Sequence, residues 1–144
     1  MVLIINSICK GKGFEREVAK ILSNNTGVLW NRVPQSGAFC TVNKSEDTRF
    51  MGDVFSEAEA YKNIVIECKA CAEFNISELF NPNSKFYSWL KQTEAESNGL
   101  AWCLFFKPNN KGIYAVASKD TLHKLGVYNE PFIEINGLLT FIKV

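Results

Sequence analysis

The 144-residue chain has little of what marks most specialised classes of protein. It lacks a charge excess: 16 Lys and Arg face 15 Asp and Glu, for a net charge of +1. The strongly basic balance of many nucleic-acid binders is therefore missing, and any basic surface has to be local. It has one histidine, His123, far in sequence from the Cys68-x-x-Cys71 pair. That pair then lacks the further ligands a zinc site takes. The five cysteines are odd in number and widely spread, which fits reduced thiols rather than a disulfide framework. Long apolar runs are missing too. The opening "MVLIINSICKGKGF" is too short for a membrane span and has no basic stretch before its apolar part. An intracellular protein, neither secreted nor membrane-bound, is expected. Repeats and low-complexity tracts are also absent.

What is present reads as one α/β domain with a central mixed sheet flanked by helices. Phe14, Val18, Ile21 and Leu22 recur at helical spacing and predict a helix over 13–24, followed by Gly27. Strands are expected at 28–33, 52–55 and 63–70, the last being "NIVIECKA". A polar loop is expected over 38–50 and another around Asn81-Pro82-Asn83. Residues 84–98 form a second helix, capped by Ser84 and closed by Gly99. "LAWCLFFK" (100–107) and "IYAVAS" (113–118) are strands, and Ser118 opens a short helix. Asn136-Gly137 between apolar runs predicts a C-terminal β-hairpin over 130–144.

Two opposite charges interrupt the clearest strand. Side chains alternate along a strand, so Ile64, Ile66 and Cys68 share one face, and Val65, Glu67 and Lys69 the other. Glu67 and Lys69 then lie roughly 7 Å apart. An edge strand with a salt-bridged outer face would explain this blandly, since edge strands often carry lysine. Asp53 argues against it. The intervening segment carries "SEAEAY" and a Lys62-Asn63 turn, so 52–55 can pair back on 64–69 and set Asp53 beside Glu67. Two adjacent carboxylates repel unless a proton or a cation intervenes. Their hard oxygens suit Mg²⁺, and Lys69 lies where it can act on a bound water or a phosphate.

Asp53, Glu67 and Lys69 resemble the D…(D/E)-x-K signature of the PD-(D/E)XK nuclease superfamily, above all the archaeal-type Holliday-junction resolvases and related viral enzymes. Further stretches are similar in the same order: "KGFEREVAKIL" (12–22), "PQSGAF" (34–39) and "WLKQTEAESNGLAWCLFF" (89–106). The resemblance covers roughly 12–125, within a nuclease domain of 1–144. It implies a restriction-endonuclease-like fold with Glu15, Asp53, Glu67 and Lys69 as catalytic residues. Glu15, Asp53, Glu67 and the backbone carbonyl of Cys68 would bind Mg²⁺, with Mn²⁺ able to substitute. Ser36, Arg32 and Gln92 would contact substrate. Glu17 is the rival to Glu15, two residues away on the same helix. Gly52 stands where the signature has its proline, and 38–51 is longer than expected.

The implied activity is Mg²⁺-dependent hydrolysis of DNA phosphodiesters, branched or duplex, by a homodimer that is cytoplasmic or associated with a host-cell nucleoid. A restriction- or homing-type enzyme with 38–51 as recognition loop, and a non-catalytic nucleic-acid-binding module, are the alternatives. "LAWCLFF" and the C-terminal hairpin offer apolar faces for a dimer, or are core. "GKG" (11–13) reads as a flexible helix entry or, at a helix start, a phosphate cradle. Lys85, Phe86, Tyr87, Trp89 and Lys91 mix basic and aromatic side chains that touch DNA or, for the aromatics, fill the core. Ser36 has no histidine near it in sequence, so a serine-hydrolase triad has little support.

Overall fold

The computed structural model of the chain describes residues 2–34 and 51–144, with side chains from 11 onward. The element order is α1 (Val2–Thr26), β1 (Trp30–Arg32), β2 (Val54–Ser56), β3 (Ile64–Cys71), α2 (Lys85–Glu96), β4 (Ala101–Pro108), β5 (Tyr114–Ala117), α3 (Lys119–Lys124), β6 (Phe132–Ile135) and β7 (Leu139–Lys143). The strands form one seven-stranded sheet in the order β1-β2-β3-β4-β5-β7-β6. Only β3 and β4 run parallel, with Glu67 opposite Leu104. The other neighbours are antiparallel. This is the mixed α/β architecture expected of the restriction-endonuclease-like fold.

The parallel pair dictates the layers. A parallel connection needs a crossover, here provided by α2, and such strands are covered on both faces. β4 is the middle strand of the sheet, and its run Cys103, Leu104, Phe105 and Phe106 is buried throughout. On one face Cys103 and Phe105 join Ile64, Ile66, Ala115 and Ala117 beneath α1 and α3, which contribute Phe14, Val18, Leu22 and Leu122. On the other, Leu104 and Phe106 join Phe74, Phe86, Trp89, Leu90 and Phe141. Phe106 lies edge-on to Phe74 at 4.9 Å between ring centroids. Offset and edge-to-face rings of this kind add to simple area burial. Phe86 and Trp89 are therefore core, and Tyr87 donates its hydroxyl to the Leu79 carbonyl.

Several expectations need correction. The first helix is longer than 13–24, and Gly11 and Gly13 lie inside it. Their N–H groups are interior, so neither the phosphate cradle nor the flexible helix entry holds. The residues before α2 are not simply a loop, because Ile76–Phe80 form a 3-10 turn. Asn75 caps that turn, accepting from the Ser77 amide, and Glu78 accepts from the Asn75 amide. The pattern Asn75-x-x-Glu78 is a capping-box signal visible in the sequence. Ser84 occupies the N-cap position of α2 but makes no side-chain cap bond, and its hydroxyl donates instead to the Glu78 carbonyl. "LAWCLFF" lies mostly in β4 at the centre of the sheet, so it is core and not a docking face.

The C-terminal hairpin forms as expected. Asn136 and Gly137 both have positive φ, 53° and 70°, and the Leu138 amide closes the turn on the Ile135 carbonyl. That is the backbone twist favoured between antiparallel strands. Its Ile135, Phe141 and Ile142 are core, while Ile133 and Leu138 are exposed. Among the described residues, no helix is long and apolar enough to cross a membrane.

Candidate active site

β3 lies between β2 and β4, so it is not an edge strand. The bland explanation of its two charges is thereby removed. Glu67 is 7% exposed, although a carboxylate is seldom buried without a partner.

Its neighbour Asp53 is delivered by a tight approach of the chain to β3. Gly52 has φ +85°, and a Cβ there would stand 2.5 Å from the Ile66 carbonyl oxygen. The Asp53 amide bonds that same carbonyl at 2.7 Å. Proline, locked near φ −65°, cannot occupy this position, which accounts for the glycine at the place of the signature's proline. One residue on, Val54 pairs with Ile66 and β2 begins. The Asp53 side chain then takes the role a continued strand would have had, with Oδ2 accepting from the Cys68 amide at 2.8 Å. The N–H and C=O of one strand residue project from the same edge. The Cys68 carbonyl thus faces the Asp53 side of β3.

The pair is strained electrostatically. Burial raises the Asp53 carboxyl and the Glu15 charge adds to this, against the pull of the Cys68 amide. Burial, followed by the charge of Asp53, pushes Glu67 up to about 8. Burial and mutual repulsion thus favour a proton on the pair.

Lys69 lies on the face of β3 that Glu67 occupies, beneath α2. Its Nζ donates to Gln92 Oε1 at 3.4 Å, and Gln92 Nε2 donates to Glu96 Oε1 at 3.0 Å. Gln92 therefore meets the lysine rather than standing apart from it. Glu96 adds negative charge near Glu67. Sequence reading missed Glu96, although its i+4 spacing from Gln92 on a helix was a usable signal.

On the opposite face, Glu15 of α1 is among the charges that raise Asp53. Its Oε2 is held by Arg32 Nε at 2.8 Å. Glu17 points elsewhere and pairs with Lys107 of β4 at 2.8 Å. The geometry brings Glu15, Asp53, Glu67, Lys69, Arg32 and Gln92 to one end of the sheet. Ser36 and the proposed loop 38–51, apart from Met51, lie outside the described residues. Cys68 and Cys71 fall on opposite faces of β3, and burial raises both thiols, so the C-x-x-C is not a paired site. His123 stacks on Tyr128 at 4.1 Å and takes no part.

Among the described residues, no three His, Cys, Asp or Glu side chains converge into a group able to hold a metal. The donor chemistry nevertheless fits a hard dication. Mg²⁺ is commonly held by one or two carboxylates with the rest of its shell left to water and phosphate. Asp53, Glu67 and the Cys68 carbonyl meet that requirement, and their mutual repulsion favours it.

A mixed α/β sheet whose interior strand carries a buried carboxylate and a lysine, with a second carboxylate delivered beside it, is the arrangement of a PD-(D/E)XK-type nuclease. The chain belongs to the family described as "Phage putative PDDEXK endonuclease", which it matches over residues 6–135. It is also similar to Protein D14 of Escherichia phage T5, at 30% identity over 127 residues, covering 83% of this chain and 76% of that protein. No solved structure matches the chain.

Proposed function

We propose that the chain is a Mg²⁺-dependent DNA endonuclease, selective for branched structure in the manner of Holliday-junction resolvases and active as a homodimer. The observation that carries the reading is the Asp53–Glu67 pair, its Glu67 buried, beside Lys69. Packing alone does not call for a buried carboxyl and an amine on an interior strand with a second carboxyl beside them, whereas phosphodiester hydrolysis uses all three.

Asp53, Glu67 and the Cys68 carbonyl would hold the ion, with Mn²⁺ able to replace it and Glu15 as a further carboxylate. Bound there, the ion would supply Lewis-acid stabilisation of phosphate charge and a more acidic water. The chain's own residues do the rest. The Lys69 ammonium faces the reacting phosphate and stabilises negative charge as a water oxygen attacks phosphorus and one P–O ester bond breaks. The attacking water loses one proton and the leaving alkoxide gains one, so the step is balanced. Gln92, anchored by Glu96, fixes the direction of Nζ. Arg32 is placed to take a substrate phosphate, and Ser36 is proposed to contact substrate.

A net charge of +1 gives little long-range attraction to DNA. A dimer doubles the local basic surface and presents two sites, each cutting one strand, with the two-fold symmetry of a junction. Exposed Ile133 and Leu138 on the outer hairpin are what remains of the apolar surface considered for it. The test is cleavage of four-way junction, linear duplex, flap and single-stranded DNA with Mg²⁺ or EDTA, alongside light scattering for mass. Mg²⁺-dependent cutting of junctions by a dimer is expected. A monomer that prefers one linear sequence would overturn the resolvase reading in favour of the restriction type. No cleavage of any substrate would leave only a binding module.

A further inference from the structure

We propose that Arg32 holds Glu15 away from the metal site in the DNA-free protein and releases it when a nucleic-acid phosphate takes the guanidinium. Cation and DNA would then bind cooperatively. The inference rests on the metal-dependent reading above and deepens it.

Through Arg32, Glu15 reaches the segment that carries Asp53, yet it joins no three-ligand group among the described residues. What holds it is one bond, Arg32 Nε to Glu15 Oε2 at 2.8 Å. The pair is no loose surface contact, because the side chains are only 24% and 22% exposed. Its position is also fixed. Arg32 ends β1 opposite Val54, and the next amide, Val33, bonds the Asp53 carbonyl at 2.9 Å. The guanidinium is thus built onto the segment that carries Asp53.

A guanidinium keeps its charge at any working pH, so Glu15 cannot be freed by deprotonating its partner. It can be freed by a competing anion. A phosphate, which can present two oxygens to the guanidinium fork, is the other anion it takes in a bidentate pair. Once Arg32 turns to a phosphate, Glu15 is left unneutralised beside Asp53 and Glu67, and the cluster gains the charge that draws a dication. Linkage makes the effect mutual: whatever DNA does to cation affinity, the cation does to DNA affinity. Glu17 provides an internal contrast. It is also paired with a base, but with Lys107 of β4 and not with the strand that leads to Asp53.

Calorimetric titration of the full chain with Mn²⁺ tests this without reference to turnover. Arg32→Gln should bind Mn²⁺ roughly tenfold more tightly than wild type in the absence of DNA, the scale of one hydrogen bond to a charged group. Arg32→Lys, which keeps the charge and loses the fork, should fall between the two and serves if the glutamine variant folds poorly. Adding Glu15→Gln to Arg32→Gln should erase the gain, and Lys107→Gln alone should produce none. Wild type with a non-cleavable phosphorothioate junction should recover a similar gain. Equal Mn²⁺ affinity in wild type and both Arg32 variants would overturn the proposal and leave the nuclease reading standing. No Mn²⁺ binding in any variant, with or without DNA, would overturn both.

Discussion

Replacing Glu67 with glutamine should stabilise the metal-free protein at high pH, and the structure sets the size and the sign. Glu67 is buried, and its carboxyl is raised from 4.5 to about 8. The folded state therefore holds this proton more tightly than the unfolded state. The associated stability is fully present below about 4.5, falls as pH rises through the interval, and is lost above about 8. A shift of that size corresponds to up to about 5 kcal/mol of destabilisation of the charged form. Glutamine removes the titration and keeps a donor for Asp53, while giving up some geometry. A net gain of about 2 kcal/mol at pH 9 in EDTA is expected, or about 4–8 °C in Tm. The gain should shrink steadily as pH falls toward 4.5. Mg²⁺ should reverse the order, because a ligand that binds only the folded state stabilises it, and wild type alone keeps both carboxylates. Thermal melts of the two proteins between pH 4.5 and 9, with EDTA or Mg²⁺, read all of this. A Glu67→Gln protein less stable than wild type at pH 9 in EDTA, or a difference that ignores pH, would refute the account of a strained carboxylate pair.

Asp53→Asn should abolish cleavage and leave the far-ultraviolet circular dichroism spectrum unchanged; near-normal turnover would remove Asp53 from the site. Lys69→Ala should slow cleavage by about 10²-fold or more while Mn²⁺ affinity holds or rises, since an electrostatic stabiliser has gone but no ligand has. A variant that cuts normally yet no longer binds metal would give Lys69 a different role. Gly52→Ala should lower stability by at least about 1–2 kcal/mol from the left-handed backbone alone, with more from the clash against Ile66, and cut activity by displacing Asp53. Unchanged melting would show that the chain can pass β3 some other way.

The paired carboxylates were legible in the sequence because the strand period and the turn between 56 and 63 place them together without any long-range information. The same logic found the helix at 84–98, the apolar strand at 100–107 and the Asn136-Gly137 hairpin, but not that this strand is central or runs parallel to β3. What was not legible depended on contacts across the fold. The choice between Glu15 and Glu17 is one example. Both lie on α1, and neither falls squarely on the face defined by Phe14 and Val18. Only the positions of Arg32 and Lys107, on different strands, separate them. The helix start was missed because Gly11 and Gly13 each cost about 1 kcal/mol in a helix interior, which argues locally for a break. The approach of Gly52 to Ile66 was invisible for a similar reason, since it needs two strands in register.

The site's position explains how the fold tolerates it. A penalty of up to about 5 kcal/mol at one carboxyl matches two or three fully buried apolar side chains at about 1.5–3 kcal/mol each. The face of the sheet that carries Glu67 also carries Leu104, Phe106 and Phe141, and Phe74, Phe86 and Trp89 pack over it with their rings on Phe106. The strain is confined to the place where β2 gives way to Gly52 and Asp53, beside Glu67 of β3. There the Asp53 side chain, rather than a backbone carbonyl, accepts the Cys68 amide. A carboxylate can thus be held at the sheet's edge of pairing, between α1 and α2, while the strand behind it stays anchored on both sides.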